Sequence, residues 1–253
     1  MIRGLIYGLK KFRSEIFSGD LLILFFSIVL AVTSISSVGF LADRLQSSMQ
    51  MQASSILGAD LVLRSASEID SKYLELAAVN DLNSAQTITF LSMVLTDDEN
   101  LLASIKAATD SYPLRGELRV INFDGIPIQH SGSPPSGFIW IERKLSDSLG
   151  LNQSDKVSIG NKNLIIEGII EEYPDRNSSF VGFYPIAIVN INDVDEMGVI
   201  QTGSRVVYRK LFSGSQDDLE RYEKALVSIP DSIRVQNAVD VGDNLGEDIA
   251  NST

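Results

Sequence analysis

Among 253 residues there is one histidine, His130, and no cysteine. The absence of cysteine removes thiol catalysis, disulfides and Cys-ligated metals. A Ser-His-Asp triad would need His130 held by a positioned partner, yet it lies in the Gly/Pro/Ser-rich stretch Asp124–Gly137 with no second histidine. It reads as a solvated loop histidine. The acidic groups Asp97-Asp98-Glu99 and Asp193, Asp195 and Glu196 lack the Gly-centred pattern of a calcium loop and read as solvated turn charges. No GxxxxGK[ST] motif occurs, so the chain does not hold ATP through a P-loop. With 21 basic against 33 acidic residues the formal charge is −12, which excludes general nucleic-acid binding. Three glycosylation sequons, at Asn152, Asn177 and Asn251, are what chance gives in a chain this rich in Asn and Ser. No catalytic residue, cofactor or metal ligand is therefore expected. Arg115, Asp175 and Arg176 are charges embedded in otherwise patterned stretches. They read either as contacts between lobes or with a partner, or as plain turn charges, since exposed pairs contribute little. Tyr112, Trp140, Tyr173 and Phe183 read as packing aromatics rather than a ligand box.

The elements that carry these residues begin with an uncharged run, LLILFFSIVLAVTSISSVGFL, from Leu21 to Leu41. As a helix it would span about 31 Å, the hydrocarbon thickness of a bilayer. A cleaved signal peptide is the competing reading, but its apolar region is shorter and is followed by a small-x-small site. Arg3, Lys10, Lys11 and Arg13 precede the run and outnumber Glu15 and Asp20, which places that end in the cytoplasm by the positive-inside rule. Ile2, Leu5, Ile6, Leu9, Phe12, Ile16 and Phe17 recur at helical spacing among these cations, the pattern of an amphipathic helix on the membrane surface. The division expected is an amphipathic helix over 1–19, a transmembrane helix over 20–41, a helical stalk over 42–57 ended by Gly58, an exported domain over 58–240, and the start of a descending stalk over 241–253.

Within the exported region, strands are predicted at Ala59–Ser65, Ala85–Leu95, Leu101–Ala107, Glu117–Phe123, Phe138–Ile141, Lys156–Ile159, Leu164–Glu172, Pro185–Val189, Arg205–Leu211 and Ser232–Val235. Helices are predicted at Ile69–Val79, Glu142–Leu149 and Asp217–Ser228, with a hairpin turn at Thr96–Asn100. Asp124–Gly137 is the candidate for a mobile excursion. Mixed order with hairpins argues an α+β fold in two lobes.

The ordered pieces LGADLVL (Leu57–Leu63), DSYPLRGEL (Asp110–Leu118), GFIWIERKLSDSLGLNQSDKVSIGNKNLIIEGII (Gly137–Ile170), YPDR (Tyr173–Arg176) and GSRVVYR (Gly203–Arg209) follow the amphipathic helix, span and stalk. Together they resemble the first segment of a bacterial ABC-transporter permease of the YbbP-like branch of the FtsX/MacB superfamily. The long Gly137–Ile170 piece is shared with MacB-like periplasmic core domains, and the PLRGEL and PDR pieces point to the YbbP-like branch.

The resemblance implies an inner-membrane protein with a cytoplasmic N-terminus and a two-lobed mixed α/β periplasmic domain. It implies a separate cytoplasmic ABC ATPase partner and further permease spans or a second permease copy. It also implies mechanotransmission, in which ATP-driven motion travels through the stalk to export or extract a hydrophobic or lipid-like substrate. Some relatives work with a periplasmic lipase-like or esterase-like protein, and the resemblance extends that expectation here. The chain ends at Thr253 without a second span, which reads as truncation within such a permease. The alternative is a single-pass anchored periplasmic interaction or sensor module without transport activity.

Overall fold

The computed structural model describes residues 19–130, 132–175, 183–201, 203–226 and 229–238. The amphipathic-helix reading of 1–18, the descending stalk over 241–253 and Arg176 lie outside the described residues. Two units, 1–48 and 49–253, are distinguished. Helix α1 starts at Gly19, in the first, and runs to Leu57, in the second, over 39 residues. Its most apolar stretch has a mean hydropathy of 2.2 and is long enough to cross a membrane. Phe25, Phe26, Leu30, Ile35, Phe40 and Leu41 are all exposed along it, a face that water would not tolerate and lipid would. The hydroxyl of Ser27 donates back to the Ile23 carbonyl at 2.8 Å, so a polar side chain sits in the apolar run without an unmet hydrogen bond.

The second unit is built on one mixed sheet. Its strands are β1 (Leu61–Ser65), β2 (Asn83–Leu95), β3 (Asn100–Ala108), β4 (Arg119–Ile121), β5 (Phe138–Glu142), β6 (Lys156–Ile159), β7 (Lys162–Glu172), β8 (Ile186–Asn190), β9 (Val206–Ser213) and β10 (Ile233–Asn237). The order is β10-β1-β9-β2-β3-β8-β5-β7-β4, with β6 bridging β2 and β7. The β3–β8 and β5–β7 pairs are parallel and the other pairs antiparallel. The α+β reading holds. The short helices are α2 (Lys72–Val79), α3 (Arg143–Leu149), α4 (Val194–Met197) and α5 (Gln216–Ala225).

Alternation along the strands gives the sheet two apolar faces. On one, Leu61, Leu63 and Phe212 pack under Tyr73 and Ala77 of α2 and Leu219 and Tyr222 of α5. Further along the same face, Phe90, Ile105, Ile139 and Ile141 pack with Leu145 of α3 and Val194 and Met197 of α4. The two halves of the domain therefore share one sheet and carry separate clusters on this face. On the opposite face Val62, Ala85, Ala108, Trp140, Ile188 and Leu211 form a cluster with Ala53 and Leu57, the last turns of α1.

Three expectations from the sequence need correction. Ser133-Pro134, in the stretch expected to be a mobile excursion, is pinned: the Ser133 hydroxyl donates to Asp110 at 2.6 Å, and the Asn190 amide donates to the Pro134 carbonyl at 2.9 Å. His130 is half-buried with its ring 4.8 Å from that of Trp140, so it packs as an aromatic instead of standing in solvent. Phe183 is 83% exposed and contributes nothing to the core. For the loop and the histidine the deciding contacts come from outside the loop, from Asp110, Asn190 and Trp140, which a local reading of loop composition does not contain.

Candidate functional site

Helix α1 ends inside the domain, and the way its end is held brings the sequence motifs together. Gly58 adopts φ +75, the left-handed geometry that a terminating residue needs and that glycine reaches without a Cβ clash. The Ala59 amide donates to the Ser54 carbonyl at 3.1 Å and the Gly58 amide to the Ser55 carbonyl at 3.3 Å, a Schellman closure. The next carbonyl, that of Leu57, accepts from Arg209 Nη2 at 2.9 Å. A cation there also meets the negative end of the helix dipole.

Arg209 belongs to a buried charged node. Asp175, in the turn after β7, has a side chain only 2% exposed and accepts from Lys106 Nζ of β3 at 2.5 Å, from Tyr112 Oη at 2.8 Å and from Arg209 of β9. Burial pushes the Asp175 carboxyl upward, but the Lys106 and Arg209 charges and its hydrogen bonds outweigh this and hold it below the usual carboxylate range. Burial lowers Lys106, with Asp175 opposing that shift. Tyr112 is raised by burial and by the adjacent Asp175 charge, so its phenol stays a donor. The Lys106 ammonium also lies 5.2 and 5.3 Å from the Tyr112 and Tyr173 ring centroids.

Arg115 closes the other side. Its guanidinium donates to both Asp60 oxygens, Nη2 to Oδ2 at 2.7 Å and Nε to Oδ1 at 2.9 Å. The Leu114 and Arg115 amides both donate to the Gly58 carbonyl at 3.0 Å. Asp60 also accepts from the Gly214 amide at 3.4 Å. Gly116 sits at φ +81 where an added Cβ would lie 2.9 Å from Ser55 Oγ and 3.1 Å from Pro174 Cβ. Hence the last turn of α1, the PLRGEL turn, the YPDR turn and β9 are fastened to one another by charge, backbone hydrogen bonds and close packing.

Of the residues singled out from sequence, Arg115 and Asp175 fall in this one junction. Asp175 is not a solvated turn charge. The same correction applies to Asp193, which is fully buried and accepts from Ser136 at 2.5 Å, from the Gly137 amide at 2.9 Å and from Lys162 at 2.7 Å. Lys106 and Arg209 escaped the sequence reading. The available signal was a cation inside an otherwise apolar strand, Lys106 in LLASIKAA and Arg209 beside Lys210 in VVYRKLF. Among the described residues no group of three or more His, Asp or Glu side chains converges as a metal site. What the junction does is hold the last turn of α1, from Ala53 to Leu57, against the sheet.

No family model matches the chain. It is 32% identical over 218 residues to an Escherichia coli (strain K12) protein described as the uncharacterized ABC transporter permease YbbP, covering 86% of this chain and 26% of that protein. The chain thus spans about a quarter of the relative's length, and the likeness to a permease read from the motifs extends over most of this chain. Among solved structures, the extracellular domain of the noncanonical ABC-type transporter YknZ from Gram-positive bacteria matches with a TM-score of 0.49 at 10% identity, over 70% of this chain and 100% of that one. A domain of a putative permease from Porphyromonas gingivalis matches with a TM-score of 0.43 at 10% identity, over 70% of this chain and 89% of that one.

Proposed function

We propose that this chain is the membrane-anchored first segment of an ABC-transporter permease and that its domain works on the far side of the inner membrane, driven by a separate ATPase. The observation that carries this reading is the 32% identity to a permease across 86% of the chain. The physical support is the apolar helix α1, whose length suits a bilayer, and the fastening of its end to the sheet. In this reading the N-terminus is cytoplasmic, and nucleotide-driven movement of the spans reaches the sheet through the Leu57–Gly58 junction. The work done outside is the export or extraction of a hydrophobic or lipid-like molecule, with a lipase-like or esterase-like protein as a periplasmic collaborator.

The test is to express the complete permease with its cognate ATPase, purify the pair in detergent, and measure ATP hydrolysis in nanodiscs with and without lipophilic compounds. Stable copurification and stimulation of hydrolysis are expected. A chain that captures no ATPase and leaves hydrolysis unchanged would overturn the transport reading in favour of an anchored interaction module.

A further inference from the structure

On the sheet face that carries the junction, Arg64 of β1 lies directly opposite Arg209 of β9 on one side and Arg234 of β10 on the other. Three guanidinium groups thus stand side by side on adjacent strands. Directly opposed like charges destabilise a sheet, and a row of three compounds the cost. Lys106 adds a fourth cation nearby, and a small cavity of about 20 Å³ opens among Arg64, Thr89, Lys106, Asp175, Arg209 and Gln236. Asp175 is engaged by Lys106 and Arg209. Among the described residues no carboxylate pairs with Arg64 or Arg234. Arg64 is half-buried and Arg234 exposed, so the row runs from the interior to the surface. Apart from Asp175, the polar side chains lining the cavity are donors or can turn a donor inward: two guanidinium groups, an ammonium, a hydroxyl and an amide.

We propose that the Arg234–Arg64–Arg209 row is a binding site for a phosphate-type oxyanion, either a lipid headgroup or a free phosphate compound. Guanidinium forks match the oxygens of such a group bidentately, and an anion turns the mutual repulsion of the row into attraction. The cavity has room for about one water-sized group. One oxygen of the ligand therefore enters between Arg64 and Lys106, and the remainder of the phosphate lies outward against Arg234. Burial followed by the Arg209 and Arg234 charges lowers Arg64 from the usual arginine range, in keeping with a cation that lacks its counter-ion.

The experiment uses the full 253-residue chain in phosphatidylcholine nanodiscs, titrated calorimetrically with inorganic phosphate, together with Arg64→Gln, Arg234→Gln and, as a control, Arg119→Gln. Arg119 is exposed and already paired with Glu117 and Glu172, so its loss should leave anion binding unchanged. Saturable binding weakened at least tenfold by Arg64→Gln and by Arg234→Gln is expected for a free phosphate ligand. Arg234 is exposed, so its variant stays informative if Arg64→Gln misfolds. If phosphate alone does not bind, the same proteins are melted in phosphatidylglycerol and phosphatidylcholine nanodiscs. A higher midpoint in phosphatidylglycerol that both variants abolish assigns the site to a lipid headgroup. No response to either probe, or responses that both variants retain, would overturn the proposal.

Discussion

Replacing Asp175 with Asn should be among the most damaging isosteric changes in the domain. The carboxylate is 2% exposed and its two cationic partners, Lys106 and Arg209, are 5% and 7% exposed, so solvent cannot replace the lost charge. Removing one member of a buried ion pair costs about 3–5 kcal/mol, because the remaining charges stay desolvated without compensation. For a domain of this size, about 2–4 °C per kcal/mol turns that into a fall in melting midpoint of roughly 6–20 °C. The assay is a thermal scan of the detergent-solubilised chain by near-ultraviolet circular dichroism, where fully buried Trp140 reports on the domain. A triple change, Asp175→Asn with Lys106→Met and Arg209→Met, should melt well above Asp175→Asn alone, since it strands no cation while Asn keeps the left-handed φ of +58 and an acceptor for Tyr112 Oη. It should remain roughly 1 kcal/mol below the parent, because the Leu57 carbonyl loses its Arg209 donor. A fall of less than about 3 °C for Asp175→Asn, or a triple variant no better than the single, would show that the node is not electrostatically closed.

Gly116→Ala should lower stability by about 1–3 kcal/mol, seen in the same scan, because it combines a left-handed φ with a Cβ 2.9 Å from Ser55 Oγ and 3.3 Å from the Ser55 carbonyl oxygen. Arg115→Ala should shift stability by no more than about 1 kcal/mol, since its side chain is 44% exposed; if the proposed function holds, it should also reduce substrate-stimulated ATP hydrolysis of the complete permease with its ATPase, whereas unfolding of the domain would make the residue structural. Acid should unlock the fold at Asp175 and Asp193 together. Burial opposes ionisation of Asp193, but Lys162, Ser136 and the Gly137 amide hold it below the ordinary range. Both carboxyls therefore contribute stability that is fully present above the unfolded value of about 3.9 and lost as pH falls through their lower folded values. Asp193→Asn should flatten part of the acid limb of a pH-stability curve below about pH 4; an unchanged limb would contradict the assignment.

Local chemistry was enough for most of the elements, the one-turn α4 at Val194–Met197 being the helix it missed. An uncharged run followed by an apolar-periodic stretch up to Gly58 reads as one long helix, because a long apolar run meets its backbone hydrogen bonds within itself only as a helix and the periodicity ends at the glycine at φ +75. The turn expected at Thr96–Asn100 and the helix expected over Asp217–Ser228, found at Gln216–Ala225, were equally legible, since turn and helix signals act within a few positions. The ordered motifs also carried the likeness to a permease. Which charges matter was a different kind of question. Asp175 looks like a turn residue until Lys106, 69 positions away, and Arg209, 34 positions away, are brought against it. The arginine row exists only because β1 lies between β9 and β10, an order that no neighbouring residue encodes. Sequence thus determined where most helices and strands form and which helix is long and apolar enough to cross a membrane. Tertiary structure decided which polar groups lose water, and desolvation is what makes a charge costly, paired or available to a ligand.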